Sequence, residues 1–297
     1  MNRPLAHLLL LACCILMPAR AGAQYVYIPE DIHFQSPHVP EFIEFAGETI
    51  RFDRPDLYER MDRELITFTY SHTNSTLMLK RADKIFAQVV PILKQQGVPE
   101  DLKYLMAIES NLDPKALSTA GAAGLWQFMR ATGQSYGLEV GTEVDERYHI
   151  EKATLAACKY LKEAYAKYGD WMTVAASYNA GQGGITKRLT DQHQKRATDL
   201  FLPTETSRYM FRILTAKYFF ENPEAFGFHL EDGERYPYLP PKEKVSVSGP
   251  IANLADFAEQ HGSTYFFLKE ANLWLRSDKL TNKAGKTYMI IIPTSNY

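Results

Sequence analysis

The chain has 297 residues, a formal net charge of −2 at pH 7 and 45% hydrophobic residues. This composition is typical of a globular protein, and its length suggests one sizeable domain plus a smaller one. The charge provides no basic field that would attract nucleic acid or an anionic lipid surface.

Residues 1–23 have the pattern of a secretory signal peptide. Arg3 supplies the positive charge, residues 5–17 are apolar, and Ala-Gly-Ala at 21–23 forms a small-residue cleavage site. The apolar run is too short to span a bilayer. We therefore expect an exported, periplasmic protein without a transmembrane segment. The alternative is attachment to the outer membrane through a lipid on Cys13.

Cleavage after residue 23 would change the charge and the cysteine content. It removes Arg3 and Arg20 but no acidic residue, so the formal charge would become −4. It also removes Cys13 and Cys14, which leaves Cys158 without a partner for an internal disulfide. We expect Cys158 to be a small buried hydrophobe rather than a reactive thiol.

Residues 24–75 are predicted to form an irregular N-terminal arm. Pro29, Pro37, Pro40 and Pro55 interrupt the pattern of this stretch. Its aromatic residues suggest that the arm packs on the rest of the protein.

The helical pattern begins after this arm and continues to residue 229. Apolar residues recur at helical spacing, and glycine or proline follows most of the predicted helices. We expect an all-α domain with functional loops between its helices. The predicted helices cover residues 76–96, 99–110, 122–136, 150–168, 171–180 and 204–221.

Residues 230–297 are predicted to form a small separate module. Val245 and Val247 alternate with serines as in a strand, and Leu254 begins an apolar helical stripe. A second helix is expected from Tyr265, and an apolar run at Tyr288–Ile292 predicts a last strand. The order is strand, helix, helix, strand, so the fold class is mainly α with a small α+β module.

Glu109 is the most informative residue, because it continues the apolar stripe of the 99–110 helix. It also lies in the last turn, where the helix dipole disfavours negative charge. Burial and the dipole both favour the protonated acid, which could donate a proton near pH 7. The alternative is a structural glutamate that is paired with arginine or lysine.

Three motifs place polar groups beside glycines at the ends of helices. They are Glu109-Ser110, the segment 121–128 (GAAGLWQF) and the segment 177–181 (SYNAG). Their amide, hydroxyl and aromatic groups suit a neutral sugar chain with acetamido and hydroxyl substituents. Each motif alone is also explained as an ordinary helix end, whereas their order after Glu109 is more specific.

These motifs resemble the soluble-lytic-transglycosylase family, which has a lysozyme-like fold related to goose-type lysozyme. Segments 144–147 and 205–209 extend the match and point to the branch of membrane-bound lytic murein transglycosylase D. The resemblance covers roughly residues 76–229. It implies peptidoglycan glycan strands as the partner and neither a metal nor a cofactor. It also implies a catalytic residue, Glu109, and substrate-binding residues Ser110, Gln127, Tyr178, Asn179 and Tyr209.

The family resemblance also implies how a single carboxylate could suffice. We identify no convincing second one: Asp113 suits a turn, while Asp145 and Glu146 could pair with Arg147. In place of a second carboxylate, the substrate's acetamido group would stabilise C1 and its 6-hydroxyl would attack. The alternatives are a lysozyme-type hydrolase, in which Glu109 works with water, and a cell-wall-binding protein without catalysis.

The C-terminal module is similar to LysM, a peptidoglycan-binding module with the same order of elements. Gly262, Leu268 and Asn272 fit that pattern. The opening does not, because residues 249–254 read GPIANL where LysM has a Gly-Asp-Ser/Thr-Leu-like sequence. Glycan binding and a purely structural role are therefore both open for this module. Oligomeric state is not predicted.

Overall fold

The computed structural model describes residues 35–231 and 233–294, which fold into a mainly helical protein with two small antiparallel sheets. The predicted signal peptide, Cys13 and residues 24–34 of the predicted arm lie outside this part. No helix within the described ranges is long and apolar enough to cross a membrane.

The prediction of an irregular arm is wrong for residues 42–70, which form two strands and a helix. Strands β1 (Phe42–Phe45) and β2 (Glu48–Arg51) form a hairpin, and helix α1 (Pro55–Tyr70) follows directly. Pro55 occupies the first turn of α1, where a backbone N–H has no intrahelical partner in any case. A proline that we interpreted as an interruption therefore begins a helix.

The helical body contains the predicted helices, three of them with the expected bounds. Helix α8 (Thr204–Glu221) packs against α1, α3 (Leu102–Ser110) and α6 (Trp171–Ala180), so it lies at the centre of the body. Its buried face includes Met210, Phe211 and Leu214, whose exclusion from water is the main favourable term in this packing. The helices are α2 (His72–Gln95), α3 (Leu102–Ser110), α4 (Arg130–Ser135), α5 (Ile150–Tyr168), α6 (Trp171–Ala180), α7 (Gln182–Asp191) and α8 (Thr204–Glu221).

The predicted helix at residues 122–136 is wrong in its first half. Only Arg130–Ser135 is helical, and the segment before it forms a loop with short bridges. Gly121, Gly124 and Gln127 have φ values of +86°, +76° and +48°, far from the −63° of an α-helix. We call residues 121–128 the glycine loop.

Helix α7 was not predicted from the sequence. It follows α6 after the single residue Gly181, and Ile185 is its one buried residue. A helix with so little apolar surface gives no recognisable periodic signal.

The C-terminal module has the predicted strand-helix-helix-strand order. Strand β3 (Glu243–Val247) pairs antiparallel with β4 (Tyr288–Ile292), and Val245 lies opposite Ile290. Helices α9 (Leu254–Gln260) and α10 (Tyr265–Ala271) connect them and bury Leu254 and Leu268. The mainly α fold class is confirmed.

The module shares a hydrophobic core with the helical body. Ala123 of the glycine loop, together with Val144 and Tyr148, is buried in the same cluster as the module's apolar residues. The backbone N–H of Asp145 donates to the carbonyl of Trp274 at 2.9 Å. The module therefore packs directly against the glycine loop.

Candidate active site

Glu109 lies at the carboxyl end of α3, where the chain turns away sharply. The next two residues after Ser110, Asn111 and Leu112, have φ values of +50° and +54°, so the helix cannot continue. Leu105 and Met106 on the same stripe are fully buried, whereas Glu109 keeps partial contact with solvent. Glu109 is thus largely surrounded by protein but keeps some exposure to solvent.

Burial dominates the electrostatics of Glu109. It raises the pKa of the carboxyl from 4.5 to about 7, and the negative charge of Glu205 acts in the same direction. The hydrogen bond from Tyr209 and the positive charge of Arg212 partly oppose this rise in pKa. A carboxyl with a pKa near neutrality can donate a proton as a general acid and then accept one as a general base.

The structural-glutamate alternative requires a cation beside Glu109. Within residues 35–231 and 233–294, its carboxylate forms no ion pair with a lysine or arginine. The direct partner is the Tyr209 hydroxyl, which donates to Oε1 at 2.5 Å. Glu109 is therefore not held in an internal ion pair.

Tyr209 comes to Glu109 from α8, one hundred residues further along the chain. Burial, and then the charge of Glu109, raise the pKa of the phenol well above its usual value. The hydroxyl therefore stays protonated and acts as a fixed donor to the carboxyl.

Replacing Tyr209 with phenylalanine should shift the pH dependence of activity. The lost hydrogen bond stabilises the charged carboxylate, so the pKa of Glu109 should rise above about 7. The alkaline limb of kcat/KM should move to higher pH, and kcat should fall about tenfold as the carboxyl loses its orienting bond. Tyr218→Phe, further along the same helix, is the control. An alkaline limb unchanged in Tyr209→Phe would contradict this expectation.

Tyr178 connects α6 to the glycine loop. Its hydroxyl donates to the backbone carbonyl of Trp126 at 2.7 Å, and Trp126 is fully buried. Burial raises the pKa of Tyr178 well above its usual value, and the charge of Glu109 adds to that rise. The hydroxyl is therefore committed to the glycine loop.

Tyr178→Phe should lower the activity of this site without unfolding the protein. The change leaves the buried Trp126 carbonyl without its donor, which should cost about 1–3 kcal/mol of stability. The loop that carries Gln127 would then be less well fixed. Activity and thermal unfolding should be compared with those of Tyr58→Phe, an exposed tyrosine on α1. Wild-type activity together with wild-type stability would refute this role.

The other predicted binding residues have different environments. Gln127 folds back on its own loop and donates from Nε2 to the carbonyls of Gly124 (2.8 Å) and Ala116 (3.2 Å). Ser110 is buried, and its hydroxyl donates to the Met106 carbonyl at 3.1 Å inside α3. Asn179 is half-buried at the end of α6. The Ser110 hydroxyl is therefore engaged in a hydrogen bond inside α3.

The acidic residues considered as a second carboxylate are engaged elsewhere. Asp113 accepts the backbone N–H of Lys115 at 2.9 Å, which is the predicted turn. Asp145 pairs with Arg147 at 2.7 Å, as expected. Glu146 pairs instead with Lys152.

The buried ion pair between Asp145 and Arg147 fixes the glycine loop through its backbone carbonyls. Arg147 donates to both carboxylate oxygens of Asp145 at 2.9 and 2.7 Å, and its Nη1 donates to the carbonyls of Gly121 (2.8 Å) and Phe128 (3.0 Å). A Cβ on Gly124 would lie 1.9 Å from the Arg147 carbonyl oxygen. The loop is therefore pressed against residue 147, and only glycine fits there.

Sequence reasoning missed two charged groups near Glu109. Arg212 and Glu205 both influence its pKa, yet neither was among the predicted site residues. The available signal was position on α8, because Arg212 is one turn beyond Tyr209 on the same side of the helix.

Two family models match separate parts of the chain. Residues 91–201 match the Transglycosylase SLT domain, and residues 243–296 match the Soluble lytic transglycosylase C-terminal LysM-like domain. The chain therefore carries an SLT transglycosylase domain followed by a LysM-like SLT domain.

Two of the relatives are membrane-bound lytic murein transglycosylases. The chain is 28% identical to membrane-bound lytic murein transglycosylase D of Escherichia coli over 255 residues. The aligned region covers 83% of this chain and 54% of that protein. It is 30% identical over 125 residues to membrane-bound lytic murein transglycosylase F of Salmonella choleraesuis, covering 38% of this chain and 23% of that protein. The chain thus spans about half the length of the first of these relatives.

A solved structure is also similar. It is an inactive mutant of the lytic transglycosylase Slt from Pseudomonas aeruginosa, 22% identical, with a TM-score of 0.39. The similarity covers 51% of this chain and 26% of that one.

Proposed function

We propose that this protein is a peptidoglycan lytic transglycosylase with Glu109 as its single catalytic acid and base. The observation that carries the proposal is the protein-enclosed carboxyl of Glu109, held by Tyr209 and given a pKa of about 7 by burial. The transglycosylase domain and the named relatives support the same class of reaction.

The proposed reaction begins with protonation of the leaving group. Glu109 donates its proton to the oxygen between N-acetylmuramic acid and N-acetylglucosamine, and the bond from that oxygen to C1 of the muramoyl sugar breaks. The acetamido group of the muramoyl sugar stabilises C1. The 6-hydroxyl of the same sugar then forms a bond to C1 and returns a proton to Glu109. The product has a 1,6-anhydro end, and no water is consumed.

We assign substrate contacts to three of the five predicted binding residues, Ser110, Gln127 and Asn179. Asn179 and the amide oxygen of Gln127 would bind the sugar, while Ser110 would do so only by leaving its bond within α3. Tyr209 orients the carboxyl, and Tyr178 fixes the glycine loop. No metal or cofactor is assigned to the reaction.

We propose domain limits of 76–229 for the catalytic domain and 230–297 for the LysM-like module, with residues 1–23 as a signal peptide. The protein would be exported and would act in the cell envelope, in agreement with the membrane-bound relatives. Glycan binding by the module can be tested with purified peptidoglycan.

Mass spectrometry of digested peptidoglycan tests the reaction type. A lytic transglycosylase yields anhydro ends, which are lighter than reducing ends by the mass of one water. Reducing ends would instead identify a lysozyme-type hydrolase. Binding to peptidoglycan without any soluble product would identify a wall-binding protein.

A further inference from the structure

A cavity of about 480 Å³ lies beside the carboxyl end of α3. Ile108 and Asn111, which lie on either side of Glu109 in the sequence, contribute to its lining. The opposite wall is the beginning of α8, and the remaining wall comes from the junction of α1 and α2. The polar residues of these walls include Thr67, Ser71, Asn74, Glu205, Arg208 and Arg212.

The two arginines of this cavity differ in what they bind. Arg208 donates from Nε and Nη2 to the fully buried carboxylate of Glu64, at 2.7 and 3.1 Å. Arg212 is half-buried and, among the described residues, has neither an ion pair nor a hydrogen bond. A partly desolvated guanidinium without a partner is a favourable place for an anion.

The amino end of α8 adds donors to the same wall. Thr204 and Glu205 in its first turn line the cavity, and Pro203 supplies no side-chain cap. The first N–H groups of a helix lack intrahelical partners and attract negative charge. The carboxylate of Glu205 opposes this attraction, which makes Arg212 the main cationic group available to a ligand.

We propose that this cavity binds the peptide substituent of the muramoyl sugar, with Arg212 pairing with a carboxylate of that peptide. The sugar backbone of peptidoglycan needs no cation for recognition, whereas the peptide attached to muramic acid carries free carboxylates. The cavity lies next to the residue that would protonate the bond at that same sugar. This inference rests on the proposed function and makes Arg212 a specificity-determining residue.

The test compares two substrates and three variants. The substrates are glycan strands with their peptides and the same strands after an amidase has removed them. The variants are Arg212→Gln, Arg212→Lys and the control Lys94→Gln, which removes one exposed charge near the far end of α2. Because Arg212 also lowers the pKa of Glu109, assays are run about one pH unit below the alkaline limb.

Arg212→Gln should raise KM about tenfold on peptide-bearing strands, with kcat little changed, and should leave KM on peptide-free strands at the wild-type value. Arg212→Lys should recover part of the lost affinity, and Lys94→Gln should behave as wild type. Equal effects on both substrates, or no effect on either, would overturn the inference.

A binding measurement separates this inference from the proposed reaction. Titration calorimetry of a peptide-bearing disaccharide into Glu109→Gln should show binding that Arg212→Gln weakens about tenfold. If wild-type digestion gives reducing ends while this arginine dependence persists, the reaction type fails and the peptide site stands. If binding does not depend on Arg212, the peptide site fails whatever the product.

Discussion

Glu109→Gln is expected to reduce the release of soluble muropeptides by about 10²–10⁴-fold, because a positioned general acid contributes rate factors of this size. Glutamine has almost the same shape, and its amide oxygen can still accept the Tyr209 hydroxyl. The fold should therefore be retained. The control is Glu224→Gln, an exposed glutamate beyond the far end of α8. Wild-type release by Glu109→Gln would refute the central assignment.

The same variant should change how stability depends on pH. In the wild type the pKa of Glu109 is raised from 4.5 in the unfolded chain to about 7 in the folded protein. The unfolded state therefore ionises first, and this group makes the free energy of unfolding fall as pH rises from about 4.5 to about 7. Glu109→Gln should lack this part of the slope in denaturation curves at several pH values.

Asp145→Asn is expected to destabilise the protein by about 3–5 kcal/mol, because it leaves the buried guanidinium of Arg147 without its counter-charge. Asparagine keeps the shape of the side chain, so the effect reports mainly the lost charge. The remaining folded protein should also be less active, since Arg147 holds both ends of the glycine loop.

Chemical denaturation provides the measurement for this prediction. The control is Asp191→Asn, which breaks an exposed pair with Lys187 one turn away in α7. Exposed pairs of this kind contribute about 0–1 kcal/mol. If Asp145→Asn costs no more than Asp191→Asn, the glycine loop does not depend on the Asp145–Arg147 pair.

Two of the helices that were predicted with correct bounds have a clear local signal at one end. Helix α5 ends at Gly169, whose φ of +64° is the left-handed conformation that glycine favours after a helix. Helix α6 begins after Asp170, whose side chain accepts the backbone N–H of Thr173 at 2.8 Å. Such signals depend on neighbouring residues, so they can be recognised in the sequence.

Contacts between distant residues explain why the prediction for the glycine loop was wrong. The loop looked helical from residue 122, but Arg147 and Tyr178 hold its carbonyls in an irregular path. No local pattern specifies such partners. Helix α1 was missed for a different reason: its buried apolar residues recur at helical spacing, but Pro55 was interpreted as an interruption.

In the candidate site, too, local features could be predicted from the sequence, whereas contacts between distant residues could not. The position of Glu109 on an apolar stripe was evident from spacing, and the structure places it in a protein-enclosed environment. Its contact with Tyr209 was expected only from the family resemblance, because nothing in the spacing joins residues 109 and 209. Arg212 was not predicted because an arginine on a helix surface is usually not part of a functional site.

The joint core of the two domains limits how this chain can change over evolution. Ala123, on the glycine loop, shares one apolar cluster with Leu254 and Ile290 of the module. A deletion or exchange of the C-terminal part would expose this surface to water and unseat the segment that carries Gln127. Recombination at this junction is therefore constrained, and the two parts have to be inherited as a matched pair.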